Sequence, residues 1–308
     1  SKNAKALANT GVHKEQCDAL DLNPNPNFNL TGAKLSLVSQ ATAYKGLRER
    51  EQVAPRLSTT INLDITRHAV NDLTGHMPTD AQMWRSIRSK DITRTIRVFL
   101  WKVLHKTQKC GDYWLKIPTF EHRGTCSECG VEDSITHILT ECSAPGQSEI
   151  WNLAKKVWLK KHDSWPSIKG LGLIVGCCMA KFYNEKGQRK LGTERLYRIL
   201  MTESAHLIWR IRCERVLERN DRDQWHTAKE ISNRWQSALN KRLALDQAMT
   251  SRKYESKAIK AKTVLHTWSG ILHNEQSLPD DWIGLPGVLV GIGPPEWAWW
   301  ERHEPEPP

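Results

Sequence analysis

CSECGVEDSITHILTEC, residues 126–142, gathers three of the chain's eight cysteines and one of its twelve histidines into one short segment. Cys126 and Cys129 have the spacing at which a tight knuckle points two thiolates at one centre, and Gly130 behind them can take the positive φ such a turn needs. His137 and Cys142 follow, placed so that a short helix starting near Glu132-Asp133-Ser134 offers both on one side. The pattern C-x2-C-x7-H-x4-C thus supplies Cys126, Cys129, His137 and Cys142, the four ligands of a closed tetrahedral site, and suits one structural Zn2+. A shell filled by protein leaves no position for a reacting water, so the expected task is to fold a loop-rich segment. Two other readings stay open: His137 as a core histidine with the cysteines as small buried hydrophobes, and Cys110, His105 or His122 as a substitute ligand.

Both flanks of this segment carry helical periodicity. Upstream, residues 76–106 hold two start signals. Thr79 with Gln82 reads as a capping box, and Asp91 reads as the cap of a second helix from Ile92. In that helix Ile92, Ile96, Phe99, Leu100, Val103 and Leu104 form one apolar stripe, which predicts a hairpin with a basic exterior. Residues 147–162 repeat the pattern with Ile150, Leu153, Ala154, Val157 and Trp158 inward. Residues 194–219 and 227–249 predict two long helices in an antiparallel hairpin with cationic edges. Residues 61–73 predict a helix with Ile61, Ile65, Ala69 and Leu73 on its inner face. NPNPNFN (23–29) cannot continue a helix and reads as a linker, while the proline-rich acidic tail, residues 291–308, reads as disordered.

The predicted fold is therefore mainly α, with helical hairpins around a small zinc knuckle and irregular termini. Its expected divisions are residues 1–22, a linker with helices over 23–75, a zinc-binding domain over 76–165, a helical domain over 166–276, and a loop and disordered tail over 277–308. The 14 tryptophans, against 5 Tyr and 4 Phe, mostly recur beside aliphatics at helical spacing, as core residues do.

Net charge is +11 and the pI is near 9.3. The excess is concentrated: Arg85, Arg88, Lys90, Arg94, Arg97, Lys102, Lys106 and Lys109 stand against Asp91 alone in that stretch. Such a cluster is the footprint of a polyanion binder, or the solvated face of a basic protein. No apolar run reaches membrane-spanning length, so no membrane partner is expected. Unevenly spaced cysteines, including the neighbours Cys177 and Cys178, suit a reducing intracellular compartment better than a disulfide framework.

Three stretches, residues 96–117 (IRVFLWKVLHKTQKCGDYWLKI), 123–142 (RGTCSECGVEDSITHILTEC) and 149–158 (EIWNLAKKVW), resemble the zinc-binding region that follows the reverse transcriptase and ribonuclease H domains in non-LTR retrotransposon polyproteins, fungal ones in particular. The N-terminal SKNAKALANTG is similar to the last helix of a type-1 ribonuclease H, but Lys5 stands where that family has a catalytic aspartate. The resemblance implies a nonenzymatic module that grips RNA or DNA, a nuclear location, and the upstream reverse transcriptase and ribonuclease H domains as partners. Expected phosphate contacts are Arg85, Arg88, Arg94, Arg97, Lys102 and Arg123, with Trp101 or Trp114 stacking on a base. Alternatives are a scaffold presenting Trp84, Trp151, Trp158, Trp209 and Trp235 to a protein, or a fragment classed as ribonuclease H by homology. No catalytic residue is assigned: Asp280-Asp281 reads as a turn or helix cap, and Ser204 and His206 lie on adjacent helical faces, where they cannot pair as nucleophile and base.

Overall fold

The computed structural model describes residues 2–16, 38–50, 55–219 and 221–291, so the 23–29 linker and residues 292–308 of the tail lie outside the described residues. The chain divides into two compact units, residues 1–54 and 55–308. In the first, α1 (Lys2–Val12) and α2 (Gln40–Arg50) are exposed helices, and α2 buries no residue.

The second unit contains α3 (Leu57–Thr74), α4 (Asp80–Ser86), α5 (Arg94–Leu104), α6 (Ile135–Thr140), α7 (Gln147–Trp158), α8 (Leu171–Gly176), α9 (Leu191–Leu217), α10 (Ala228–Ala248) and α11 (Ala261–Trp268), joined by short 3-10 turns. Pairing of extended backbone among the described residues is confined to isolated bridges, so the fold is mainly α. No described helix is long and apolar enough to cross a membrane.

Helix α9 is the axis of this unit. Helices α5, α6, α7, α10 and α11 all pack on it, and its buried residues lie on every side, from Gly192 to Arg215. The core is continuous from Leu63 to Val290 and includes five fully or nearly fully buried tryptophans, Trp151, Trp158, Trp235, Trp268 and Trp282. It runs across the boundary expected at residue 165 and takes in α3 from the stretch expected as linker and helices. It also draws in the loop after residue 277, where Trp282, Val288 and Val290 are buried and Gln247 Nε2 donates to Ile283 O and Leu285 O, both at 3.1 Å.

The expected α9–α10 hairpin is antiparallel. Glu214 meets Arg234 near its turn, Trp235 Nε1 donates to Ser204 Oγ at 2.9 Å, and Arg195 meets Asp246 at the far end. Its edges carry part of the cationic surface expected, with Arg210, Lys229 and Lys241 exposed, but four arginines turn inward. Arg195, Arg212, Arg215 and Arg242 are all buried. The reason is pairing: Arg195 donates to Asp246 Oδ2 at 2.6 Å and Oδ1 at 2.8 Å, and Trp268 Nε1 adds a bond to Oδ2 at 2.8 Å. A carboxylate with 0% exposure is tolerable where every oxygen is so engaged.

Asp91 does not cap α5. Thr93 does, its extended backbone letting the hydroxyl accept from Ile96 N, so the helix starts at Arg94 and not at Ile92. The Asp91 carboxylate instead receives Arg195 and Arg198, whose charges outweigh the cost of its burial and hold its pKa below the usual carboxylate range. The capping box at Thr79 and Gln82 forms as expected, and the whole α5 stripe with Ile92 is buried.

The inner face of α3 differs from the one read from the sequence. Thr59, Leu63, Thr66 and Val70 face the core, whereas Ile61 and Ile65 are nearly half exposed. Helix α8 explains this, because its glycines let the α3 backbone come close: a Cβ on Gly172 would lie 2.5 Å from Ile65 O. At that distance the slimmer threonine face fits, and Thr66 satisfies its own hydroxyl by donating to Asn62 O at 2.7 Å.

Candidate metal centre and nucleic-acid interface

The knuckle is built by backbone hydrogen bonds around Gly130. Gly130 N donates to Cys126 O at 2.9 Å, Cys126 N donates to Val131 O at 2.8 Å, and Asp133 N closes the loop on Gly124 O at 2.9 Å. Gly130 has φ of +69°, a conformation that costs glycine little. Ser134 then caps α6, accepting from His137 N at 3.1 Å, and Cys142 N donates to His137 O at 2.8 Å. Cys142 therefore lies just beyond α6, and the helix-end turn, rather than the helix itself, brings it beside His137.

The four expected ligands converge: the ligand atoms of Cys126, Cys129, His137 and Cys142 all lie within 4.8 Å of one another. Cys126 and Cys142 sulfurs are 3.8 Å apart. A tetrahedron with metal–sulfur bonds of about 2.3 Å has an edge of about 3.8 Å, so the spacing fits a four-coordinate ion. His137 is buried, its Nδ1 is 3.9 Å from Glu141 Oε2, and its Nε2 has no hydrogen-bond partner, as a ligating nitrogen would not. Ser143 supports Cys129, with Oγ at 3.1 Å and N at 3.4 Å from its sulfur. Burial pushes the Cys142 thiol up to about 12, while at Cys129 the Ser143 hydrogen bonds outweigh burial and hold the thiol below its ordinary value. This set can hold a metal ion. Cys110, His105 and His122 do not join it.

Long-range contacts that spacing did not reveal tie the knuckle to α9. Arg212 Nε donates to Asp133 Oδ2 at 2.7 Å, and its NH2 makes a second bond to the same oxygen. Arg215 donates to Pro145 O at 3.2 Å and stacks 5.3 Å from the ring of Trp225, which packs against the cysteine cluster. Arg222 pairs with Glu128 of the knuckle at 2.8 Å. The signal present in the sequence is an acid beside the ligands and two arginines on one helix, with Arg222 in the turn beyond it; spacing does not give their pairing.

The expected phosphate contacts fall into three places. Arg88 and Arg97 line a groove of about 610 Å3 with Trp84, Ile87, Val98, Trp101 and His105. Its rings are ordered: Trp84 stacks on His105 at 5.1 Å and 23°, and Trp101 lies 4.3 Å from the same imidazole, with Trp101 48% exposed. Thr59 Oγ1 fixes His105 Nδ1 at 2.8 Å, and burial with the charge of Arg56 lowers its pKa, so the ring is neutral at pH 7. Arg88 Nε is anchored on Trp84 O at 3.1 Å and Arg97 Nε on Ile92 O at 2.9 Å. Arg85, Arg94 and Lys102 are exposed on α4 and α5 but do not line this groove. Arg123 lies elsewhere, over the rings of Phe120 at 4.8 Å and Trp114 at 5.3 Å. Of the tryptophans considered as protein anchors, Trp151, Trp158 and Trp235 are buried, which leaves Trp84 and Trp209 half-buried. No protein-family model, no curated protein and no solved structure matches the chain.

Proposed function

We propose that residues 126–142 hold one structural Zn2+ and that the helices framing them form a nonenzymatic module that binds RNA or DNA. The donor set supports zinc: three thiolates and an imidazole at tetrahedral spacing match its preference, and with no open position the ion would fix the knuckle and not activate water. Cys126, Cys129, His137 and Cys142 would hold it. The single observation that carries nucleic-acid binding is the groove of Arg88, Arg97, Trp84, Trp101 and His105, which sets two anchored guanidinium groups beside an exposed indole. Guanidinium groups suit phosphate oxygens and the indole suits the face of an unpaired base. The resemblance to the zinc-binding region of retrotransposon polyproteins agrees with this reading, with the reverse transcriptase and ribonuclease H domains as partners in a nuclear setting.

Two experiments test it. Elemental analysis of the purified chain should give one zinc per molecule, lost in Cys126→Ser; a folded chain without metal would overturn the zinc assignment. In fluorescence anisotropy with single-stranded oligonucleotides, affinity should fall steeply with salt and weaken in Arg88→Ala/Arg97→Ala and in Trp101→Ala. Binding that ignores both salt and these substitutions would end the nucleic-acid reading.

A further inference from the structure

We infer that a second groove, formed where the end of α7 meets the starts of α9 and α11, grips nucleic-acid phosphates without reading bases. It encloses about 880 Å3 and is lined by Lys160, Lys161, Arg189, Lys190, Lys260 and Lys262, with no Asp or Glu in the lining. The inference rests on the nucleic-acid reading above but places a separate contact on separate elements.

The six cations divide by role. Lys161 is structural: its Nζ donates to His266 O at 2.6 Å and Thr267 O at 3.4 Å, and burial lowers its pKa to about 8. Arg189 is held by Glu194, with bonds of 2.9 and 2.5 Å. Lys190, Lys260 and Lys262 are exposed and form no ion pair among the described residues. Glu275, whose charge acts on Lys161, accepts from Gly270 N at 2.6 Å and Leu272 N at 3.0 Å. At His162, burial first and then the charges of Lys161 and Lys190 lower the imidazole pKa to about 4, against the opposing charge of Asp163.

Backbone adds to the side chains. The residues that precede α9 and α11, Lys190 and Lys260, both line this groove, and neither helix has a side-chain cap on its first N–H groups. The first turn of α9 is buried at Gly192 and Thr193, so the positive helix end that favours phosphate oxygens here is the exposed start of α11 at Ala261 and Lys262. Thr193, Thr263 and Ser269 add hydroxyls to the lining, which contains no Trp, Tyr or Phe. The chemistry therefore recognises a phosphodiester backbone and offers nothing for a base to stack on, in contrast to the groove around Trp101. A concave floor also suits a strand better than the flat face of a bilayer.

The test uses the full chain, the triple variant Lys190→Gln/Lys260→Gln/Lys262→Gln, and two probes: a short single-stranded oligodeoxynucleotide and its abasic counterpart with the same phosphates. The slope of log affinity against log salt should fall by about 2 in the triple variant, three phosphates at about 0.7 each, or about 100-fold in affinity at 0.1 M salt if the lines meet at 1 M. That loss should appear on both probes. Trp101→Ala should weaken the natural strand alone and leave the slope unchanged. If the abasic strand binds through the three lysines while Trp101→Ala is silent on both probes, this inference stands and base binding at the first groove falls. An unchanged slope in the triple variant overturns the inference while leaving the first groove intact. Lysine-dependent capture of anionic lipid vesicles without strand binding overturns it as well.

Discussion

Asp133→Ala should destabilise the protein by about 3–5 kcal/mol, because it strands a buried guanidinium. The Arg212 side chain is 3% exposed and that of Asp133 4% exposed. Both bonds from Arg212 end on Oδ2, while Oδ1 is buried without a partner. The intact pair therefore gains little over two apolar groups, yet removing Asp133 leaves the buried Arg212 guanidinium charged without its carboxylate. For a unit of this size each kcal/mol moves the melting temperature by roughly 2–4 °C, so a fall of roughly 6–20 °C is expected. Asp133→Asn keeps one acceptor and should cost less, about 1.5–3 kcal/mol. Asp133→Ala/Arg212→Met removes the orphan charge and should recover most of the loss. Thermal denaturation followed by circular dichroism with saturating zinc reads all three, and metal content measured on the same samples separates the ion pair from ligand loss. An Asp133→Ala protein melting within about 2 °C of the parent, or a double variant no better than the single one, would refute the reasoning.

Three more outcomes follow from the packing and the charges. Gly172→Ala should destabilise by roughly 1–3 kcal/mol despite alanine's better helix propensity, since the new Cβ would meet Ile65 O at 2.5 Å and Ala69 Cβ at 2.8 Å; urea titration checks it. Glu203 has its pKa raised by burial, against the attraction of Arg242, from 4.5 to about 7. The folded state thus holds that proton more tightly, stability falls as pH rises between those values, and Glu203→Gln should be the more stable protein at pH 8 by about 3 kcal/mol and lose that advantage below pH 4.5. Glu214 is the opposite case, lowered to about 2 chiefly by its hydrogen bond from Arg234. Its contribution is full above pH 4.5 and fades as pH falls toward 2, so urea midpoints of Glu214→Gln and the parent should converge on acidification; a gap that widens would contradict the assignment.

The sequence disclosed what local chemistry encodes. The four-ligand set, the Thr79 capping box and the α5 stripe each depend on residues a few positions apart, where spacing and geometry are nearly the same thing. The Asp91 expectation failed because two residues near one another both have the chemistry of a cap, and Arg195 and Arg198, distant in the chain, removed one of them from the competition. The α3 face was misread because apolar periodicity favours Ile61 and Ile65, whereas the choice was made by how closely the glycines of α8 approach. The arginines of α9 looked like surface charge because their partners, Asp133 and Asp246, sit on other elements. The groove around Trp101 was half legible, since Arg97 and Trp101 share a helix face but Trp84 arrives from α4 and Arg88 from the turn after it.

Helix α9 begins at the lysine-rich groove and passes the cysteine knuckle near its other end, at Arg212. At about 1.5 Å of rise per residue, the backbone from Gly192 to Arg212 spans about 30 Å. A stiff rod of that length acts as a ruler. Nothing shorter can bridge its two landmarks at once, and stripping the ion from one end should loosen the knuckle's loops while the basic cleft at the other keeps its shape.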